Sequence, residues 1–333
     1  MRNAIALIAI CGALTLTTVQ AQTNPKWLGT NKSGFTHGNA PKPNFSIPPT
    51  FSYTGASYGT GGVALRNRIK GDINISGVTG STQAAWLYWA VLFGSTPTAA
   101  QLKKASEVTL QREFPLGAPT GGQVTGTVIG VGIDPCWGSA GSWVFRAPVS
   151  TAVATGNGIY RVILPPVDTG LSDGEDPWDG NVVYPLAEGA SLVIVGTGTQ
   201  TVGLYDGFAA VVWFGGDTVN LAYQLPAPVT LQALLDNIGF DGQIGDSRSP
   251  GTSNETTTAT GSPSGTVYAV AGPGGSVSNS DWDGSSGWPL PQLWDDTGHD
   301  ITPAIAASDT AVTVTYTSVE DCLGEVAAVI SAQ

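Results

Sequence analysis

Two acidic stretches hold the residue types best suited to chemistry. From Asp168 to Asn181 the chain reads DTGLSDGEDPWDGN, and from Ser280 to Asp300 it reads SDWDGSSGWPLPQLWDDTGHD. Hard cations such as calcium take about six to eight oxygen ligands, supplied by carboxylates and carbonyls on glycine-containing loops. Asp173, Glu175, Asp176 and Asp179 in the first stretch and Asp281 and Asp283 in the second are therefore candidate calcium ligands. Asp241, Asp246, Asp295, Asp296 and Asp300 are placed to supplement either loop. Neither loop is an EF-hand, because Trp178 occupies the sixth position from Asp173, where glycine is required, and Gln292 the closing position from Asp281. The plain alternative is two solvated acidic turns.

Tryptophans are interleaved with these acids: Trp178, Trp282, Trp288 and Trp294. An exposed indole beside Asp and Asn side chains grips a sugar ring, with stacking on one face and hydrogen bonds at the edge. The competing reading is that the rings plug the ends of the fold. Evidence for catalysis is thin. No H-E-x-x-H helix or P-loop is present, and no catalytic residue is assigned. His299 neighbours Asp300 and is more simply structural than a base, and His37 lies in a Gly/Asn/Pro-rich stretch. A carboxylate-pair hydrolase stays open, since 25 acidic residues allow many pairs and only geometry selects among them.

The elements that must position these residues are strands. The chain has 333 residues, with 45 Gly, 22 Pro and 41% hydrophobic residues but only 11% charged ones. Such a composition excludes disorder and predicts an all-β protein of short strands and many turns. The run Gln83 to Phe93 (QAAWLYWAVLF) is apolar on both alternating faces, as a central strand requires. Further strands are predicted at 72–78, 124–133, 158–164, 190–196, 208–214, 218–225, 266–270, 311–316 and 325–330, where Val, Ile, Tyr and Thr lie between turn formers. Helical spacing appears only over Thr230–Ile238, with a second short helix allowed near Thr98–Ser106. Ser247–Gly265 reads as a long surface loop. No fixed-period repeat is present, which argues against a propeller or solenoid. The architecture expected is a β-sandwich of jelly-roll type, with roughly a dozen strands and one or two short helices.

The N-terminus has the three-part form of a secretion signal. Arg2 precedes an apolar run from Ala4 to Leu16, and Val19 and Ala21 place cleavage before Gln22. The run is shorter than the ~20 residues of a spanning helix, and no later segment is long enough without polar interruption. The expected organisation is a signal peptide over 1–21, an extended segment over 22–60 and one large sandwich domain over 61–333, with two tightly packed subdomains as an option. The destination is then extracellular, or periplasmic to cell-surface. Cleavage removes Cys11 and leaves Cys136 and Cys322, which in an oxidising compartment most simply form a disulfide.

Charge is unevenly distributed. Residues 1–161 hold 12 Lys/Arg and 4 Asp/Glu, whereas residues 162–333 hold a single base, Arg248, and 21 acids. With a net charge of −12, nucleic acid is an unsuitable partner. Three readings fit the asymmetry: interleaved halves that pair their charges, acids that bind calcium, or opposed patches that drive head-to-tail self-association.

The strand QAAWLYWAVLF (83–93), the segment GASLVIVGTGTQTVGLYDGF (189–208), the block DWDGSSGWPLPQLWDDTGHDI (281–301) and DCLGEVAAVIS (321–331) together give a resemblance. The chain resembles a family of secreted, β-rich surface proteins of bacteria and archaea known only as a domain of unknown function. That resemblance implies a cell-surface setting, with surface-anchoring or adhesion modules as companions, and carries no catalytic residue over. The leading expectation is a non-enzymatic extracellular β-sandwich that binds calcium and, in second place, glycans or other surface proteins. The alternatives are a secreted polysaccharide hydrolase using an Asp/Glu pair and a self-assembling surface subunit.

Overall fold

The computed structural model describes residues 45–65, 69–114, 120–134, 139–164, 184–211, 217–241, 255–271, 294–318 and 323–333. Sixteen strands and one short helix are found among the described residues. The all-β sandwich expected from composition is the fold observed. The strands are β1 (Phe51–Ala64), β2 (Lys70–Ile75), β3 (Thr82–Phe93), β4 (Glu107–Phe114), β5 (Thr120–Thr125), β6 (Thr127–Gly132), β7 (Gly141–Pro148) and β8 (Gly158–Ile163). There follow β9 (Leu186–Val211), β10 (Asp217–Gln224), β11 (Ala233–Phe240), β12 (Glu255–Ser262), β13 (Val267–Ala271), β14 (Trp294–Asp300), β15 (Ala311–Ser318) and β16 (Leu323–Ala332). Helix α1 (Ala99–Ala105) lies where a short helix was allowed, and Thr98 with Gln101 forms its capping box.

Strand β9 organises everything else. It is 26 residues long, and β1 runs antiparallel along it from Phe51↔Leu204 to Ala64↔Gly189. Midway the register breaks, with Ala56 opposite both Thr197 and Gln200. Such a bulge bends the strand. The first half of β9 pairs with β3, and the second half with β16. Two sandwiches result. In the first, β1-β9-β3-β7 faces the sheet β2-β8-β4-β5; in the second, β9-β16-β11-β14 faces β10-β15-β12-β13.

Three cores follow from this arrangement. Leu87, Trp89, Phe145, Tyr160 and Ile194 fill the first sandwich. Tyr205, Tyr223, Leu235, Tyr316 and Ile330 fill the second. A third core lies between the sandwiches, where Tyr88, Leu92, Val193 and Val195 meet Ile238, Phe240, Trp294 and Val329. The middle strands are thus buried on both faces, which explains the unbroken apolar run of β3.

Three expectations need correction. Residues 230–238 form no helix: Ala233–Phe240 is a strand whose odd residues face the second core and whose even residues face the seam. Two buried faces erase the period-two signal and leave a spacing that imitates a helix. Within the presumed surface loop 247–265, Glu255–Ser262 is strand β12, with Thr257 and Ala259 buried. Residues 51–60, read as part of an N-terminal segment, belong to β1 inside the large sheet. No helix among the described residues is long and apolar enough to cross a membrane.

Candidate functional site

The bend in β9 leaves an open groove of about 490 Å³ at the margin of the seam. Tyr58 and Thr60 of β1, Ser76 after β2, Thr199 and Gln200 at the bulge and Asp236 of β11 line it, with the backbones of Gly59, Gly77 and Gly198. Among the described lining residues there is no lysine or arginine, and polar side chains outnumber apolar ones.

Asp236 is the charged group of this groove. Its position follows from alternation in β11: Leu234, Asp236, Ile238 and Phe240 point to the seam, where Asp236 meets Tyr58 and Thr60 of β1. Tyr58 Oη donates to Asp236 Oδ2 at 2.5 Å, and Thr60 Oγ1 donates to Oδ1 at 3.4 Å. Directly opposite on β14 stands Gly298, where any Cβ would come within 2.5 Å of Asp236 Oδ1. Only glycine leaves the carboxylate its place. Burial pushes the Asp236 carboxyl up to about 6, against the donors Tyr58 and Thr60 and the charge of His299, which pull it down.

A second carboxyl stands behind the first. Asp296 of β14 faces Ile238 across the ladder, so it is the diagonal neighbour of Asp236 on the same face. Burial foremost, together with the charge of Asp236, raises its carboxyl to about 7 against the opposing hydrogen bonds of Thr60 and Ser191. Its Oδ2 is buried and receives no hydrogen bond. Trp294 Nε1 donates to Ser191 Oγ at 3.0 Å, which leaves the Ser191 hydroxyl proton for Asp296. Two carboxyls raised by burial and facing one another titrate as a pair, and one proton shared between them removes their mutual repulsion. Tyr58 is held neutral, its phenol pushed well up by burial and then by the Asp236 charge.

Of the tryptophans proposed to grip sugars, Trp178, Trp282 and Trp288 lie outside the described residues, as do Asp173, Glu175, Asp176, Asp179, Asp281 and Asp283, together with Cys136 and Cys322. Trp294 is described, and it is no exposed ring. It is fully buried at the start of β14, laid across Gly189 and Gly62, where added Cβ atoms would approach it to 2.4 and 2.9 Å. The acids around it in sequence misplace it: Trp294, Asp296 and Asp300 share one face of β14, which is covered by the seam at Trp294 and emerges into solvent by Asp300.

The acids named as supplements separate in space. Asp300 caps the turn after β14, accepting from Thr302 N at 2.9 Å, and that hydrogen bonding lowers its carboxyl pKa. Asp241 and Asp295 are fully buried. Asp241, Asp134 and Glu188 place their charges around the Tyr184 phenol, which burial first and these acids next push upward. His299, opposite Leu235, is half-buried. No group of three or more His, Cys, Asp or Glu side chains with metal-holding geometry occurs among the described residues.

No protein-family model matches the chain, and no curated protein matches it. Among solved structures, a recombinant N-glycanase F (PNGase F) is similar at 11% identity and a TM-score of 0.23, over 82% of this chain and 95% of that one. PNGase F described as a glycosylasparaginase from Flavobacterium meningosepticum gives 10% identity and 0.23, over 82% and 96%. The infectious bursal disease virus VP2 subviral particle also gives 10% and 0.23, over 88% and 74%. Scores this low bear on neither the fold nor the function of this chain.

Proposed function

We propose that this protein works outside the cytoplasm as a β-sandwich that binds neutral, hydroxyl-rich ligands, the chemistry of glycans, in the groove between its two sandwiches. The lining of the groove carries this reading. Hydroxyls of Tyr58, Thr60, Ser76 and Thr199, the Gln200 amide and the Asp236 carboxylate offer donors and acceptors in mixed order, as sugar hydroxyls require. Among the described lining residues an anion would meet Asp236 and no cationic side chain. An apolar ligand would strand these polar groups without partners.

Calorimetric titration with a panel of soluble oligosaccharides tests the proposal. Binding in the micromolar to millimolar range is expected, with about a tenfold loss for Thr60→Ala or Asp236→Asn, the loss of one good hydrogen bond. A panel without a single binder sinks it.

Calcium in the acidic loops Asp173–Asp179 and Asp281–Asp283 belongs to the same proposal, supported by the oxygen-rich, glycine-spaced sequence. A chelator should lower the melting temperature and added calcium restore it; an unchanged melt removes calcium from the reading.

One observation favours hydrolysis as a second reading, namely two carboxyls with raised pKa values beside an open groove. Release of reducing ends from a bound polysaccharide, abolished by Asp236→Asn, would establish it, and binding without release would dismiss it.

A further inference from the structure

We propose that ligand occupancy of the groove is coupled to protonation of Asp236, so that acidification releases what the groove holds. The inference rests on the groove being the ligand site and concerns its regulation. Asp236 is the one carboxylate among the described groove-lining residues, and it lines the groove with Tyr58 and Thr60. Each of its oxygens already accepts from β1, Oδ2 from Tyr58 at 2.5 Å and Oδ1 from Thr60 at 3.4 Å. A ligand hydroxyl must add to these donors, and an ionised carboxylate accepts such a bond about twice as strongly as a neutral group. A protonated Asp236 would instead offer one acceptor fewer and a hydrogen that the ligand must accommodate.

The groups facing Asp236 set where the change falls. From β1 comes Tyr58, which stays neutral; from β14 come Asp296 and His299. From β9 and β16 come only the hydroxyls of Ser191 and Ser331, which reach Asp296 and Tyr58. Asp296 and Asp236 titrate as a coupled pair, both raised by burial, and Asp236 is the member that lines the groove. The charge of His299 favours the ionised form of Asp236. The release edge therefore lies near pH 6.

Titration calorimetry of the full chain with the tightest-binding oligosaccharide, at steps from about pH 5 to 8, reads the coupling directly. Affinity should be level above the edge and fall about tenfold per pH unit below it, with proton release on binding that scales with buffer ionisation enthalpy. Asp236→Asn should flatten the profile. Tyr58→Phe removes a donor that holds the Asp236 carboxyl down, so its edge should move to higher pH while binding above the edge weakens only modestly. Circular dichroism melts confirm that each variant is folded at every pH used. A flat profile in the wild type, or an edge that survives in Asp236→Asn, overturns the coupling while leaving the groove as the ligand site. Failure of every oligosaccharide to bind at any pH overturns the groove reading and the coupling together.

Discussion

Asp296 is an acid held where an acid is costly to ionise, and the sign of its effect on stability can be stated. In the unfolded chain it titrates near 3.8; in the fold its carboxyl is raised to about 7, and Asp236 is raised to about 6. Because both folded values exceed the unfolded ones, the fold binds more protons than the unfolded chain between them. Stability from these groups is complete below about pH 4 and is lost as pH rises toward 7. Asp296→Asn keeps the shape and removes the charge, so it should stabilise the fold by about 1–2 kcal/mol at pH 8 and by almost nothing at pH 4. Urea unfolding at the two pH values checks this, and a variant no more stable at pH 8 than the wild type contradicts the assignment. The Tyr58 contact acts the other way, since its hydroxyl favours the charged form of Asp236.

At the scale of elements, β14 is the piece that joins fold to site, because Trp294 anchors its start in the seam and Asp296 two residues on is the diagonal neighbour of Asp236. Trp294→Ala should cost about 3–5 kcal/mol through the cavity left over Gly189 and Gly62. Gly189→Ala sets a methyl group against the indole at 2.4 Å and should cost about 1–3 kcal/mol. Chemical denaturation followed by tryptophan fluorescence measures both. What the sequence made legible follows the same physics. Strand β3 was readable because its length and its aromatic and branched residues left no helical alternative, and β15 because it alternates buried and half-buried residues along its whole length. Strand β11 was misread because both of its faces are covered, and β12 because Thr, Ala and Gly signal little hydrophobicity even when buried. Asp296 stood out as an acid in an acidic run. Asp236 did not, since the Tyr58 and Thr60 that define it lie 178 and 176 residues away. A lone carboxylate within an otherwise apolar LLDNI segment was the one signal available.

Across the whole molecule, the sandwiches are tied by an ion pair inside the seam. Arg146 of β7 pairs with Asp206 of β9 at 2.6 Å, and Tyr88 and Thr50 donate to the same carboxylate at 3.1 and 2.9 Å. The guanidinium also lies over the rings of Phe51 and Trp86, at 4.8 and 5.4 Å from their centroids. Removing one partner of so enclosed a pair should cost about 3–5 kcal/mol, so Arg146→Met is expected to lower the denaturation midpoint sharply. Both sandwiches should still unfold in one calorimetric transition, because the seam core belongs to each; two resolved transitions would show them to be independent. We also propose the Cys136–Cys322 disulfide. Intact mass should rise by two hydrogens on reduction of the bridge. The shared strand has a further consequence, for the time course of folding. Strands β1 to β8 precede β9 in the chain, yet Ala64 waits for Gly189 and Phe51 for Leu204. Contacts so distant in sequence close slowly. Until residues 186–211 arrive, the first sandwich has open edges and no central member, which is the state most exposed to aggregation. The strand that unites the finished molecule thus also sets the moment before which neither half can be finished.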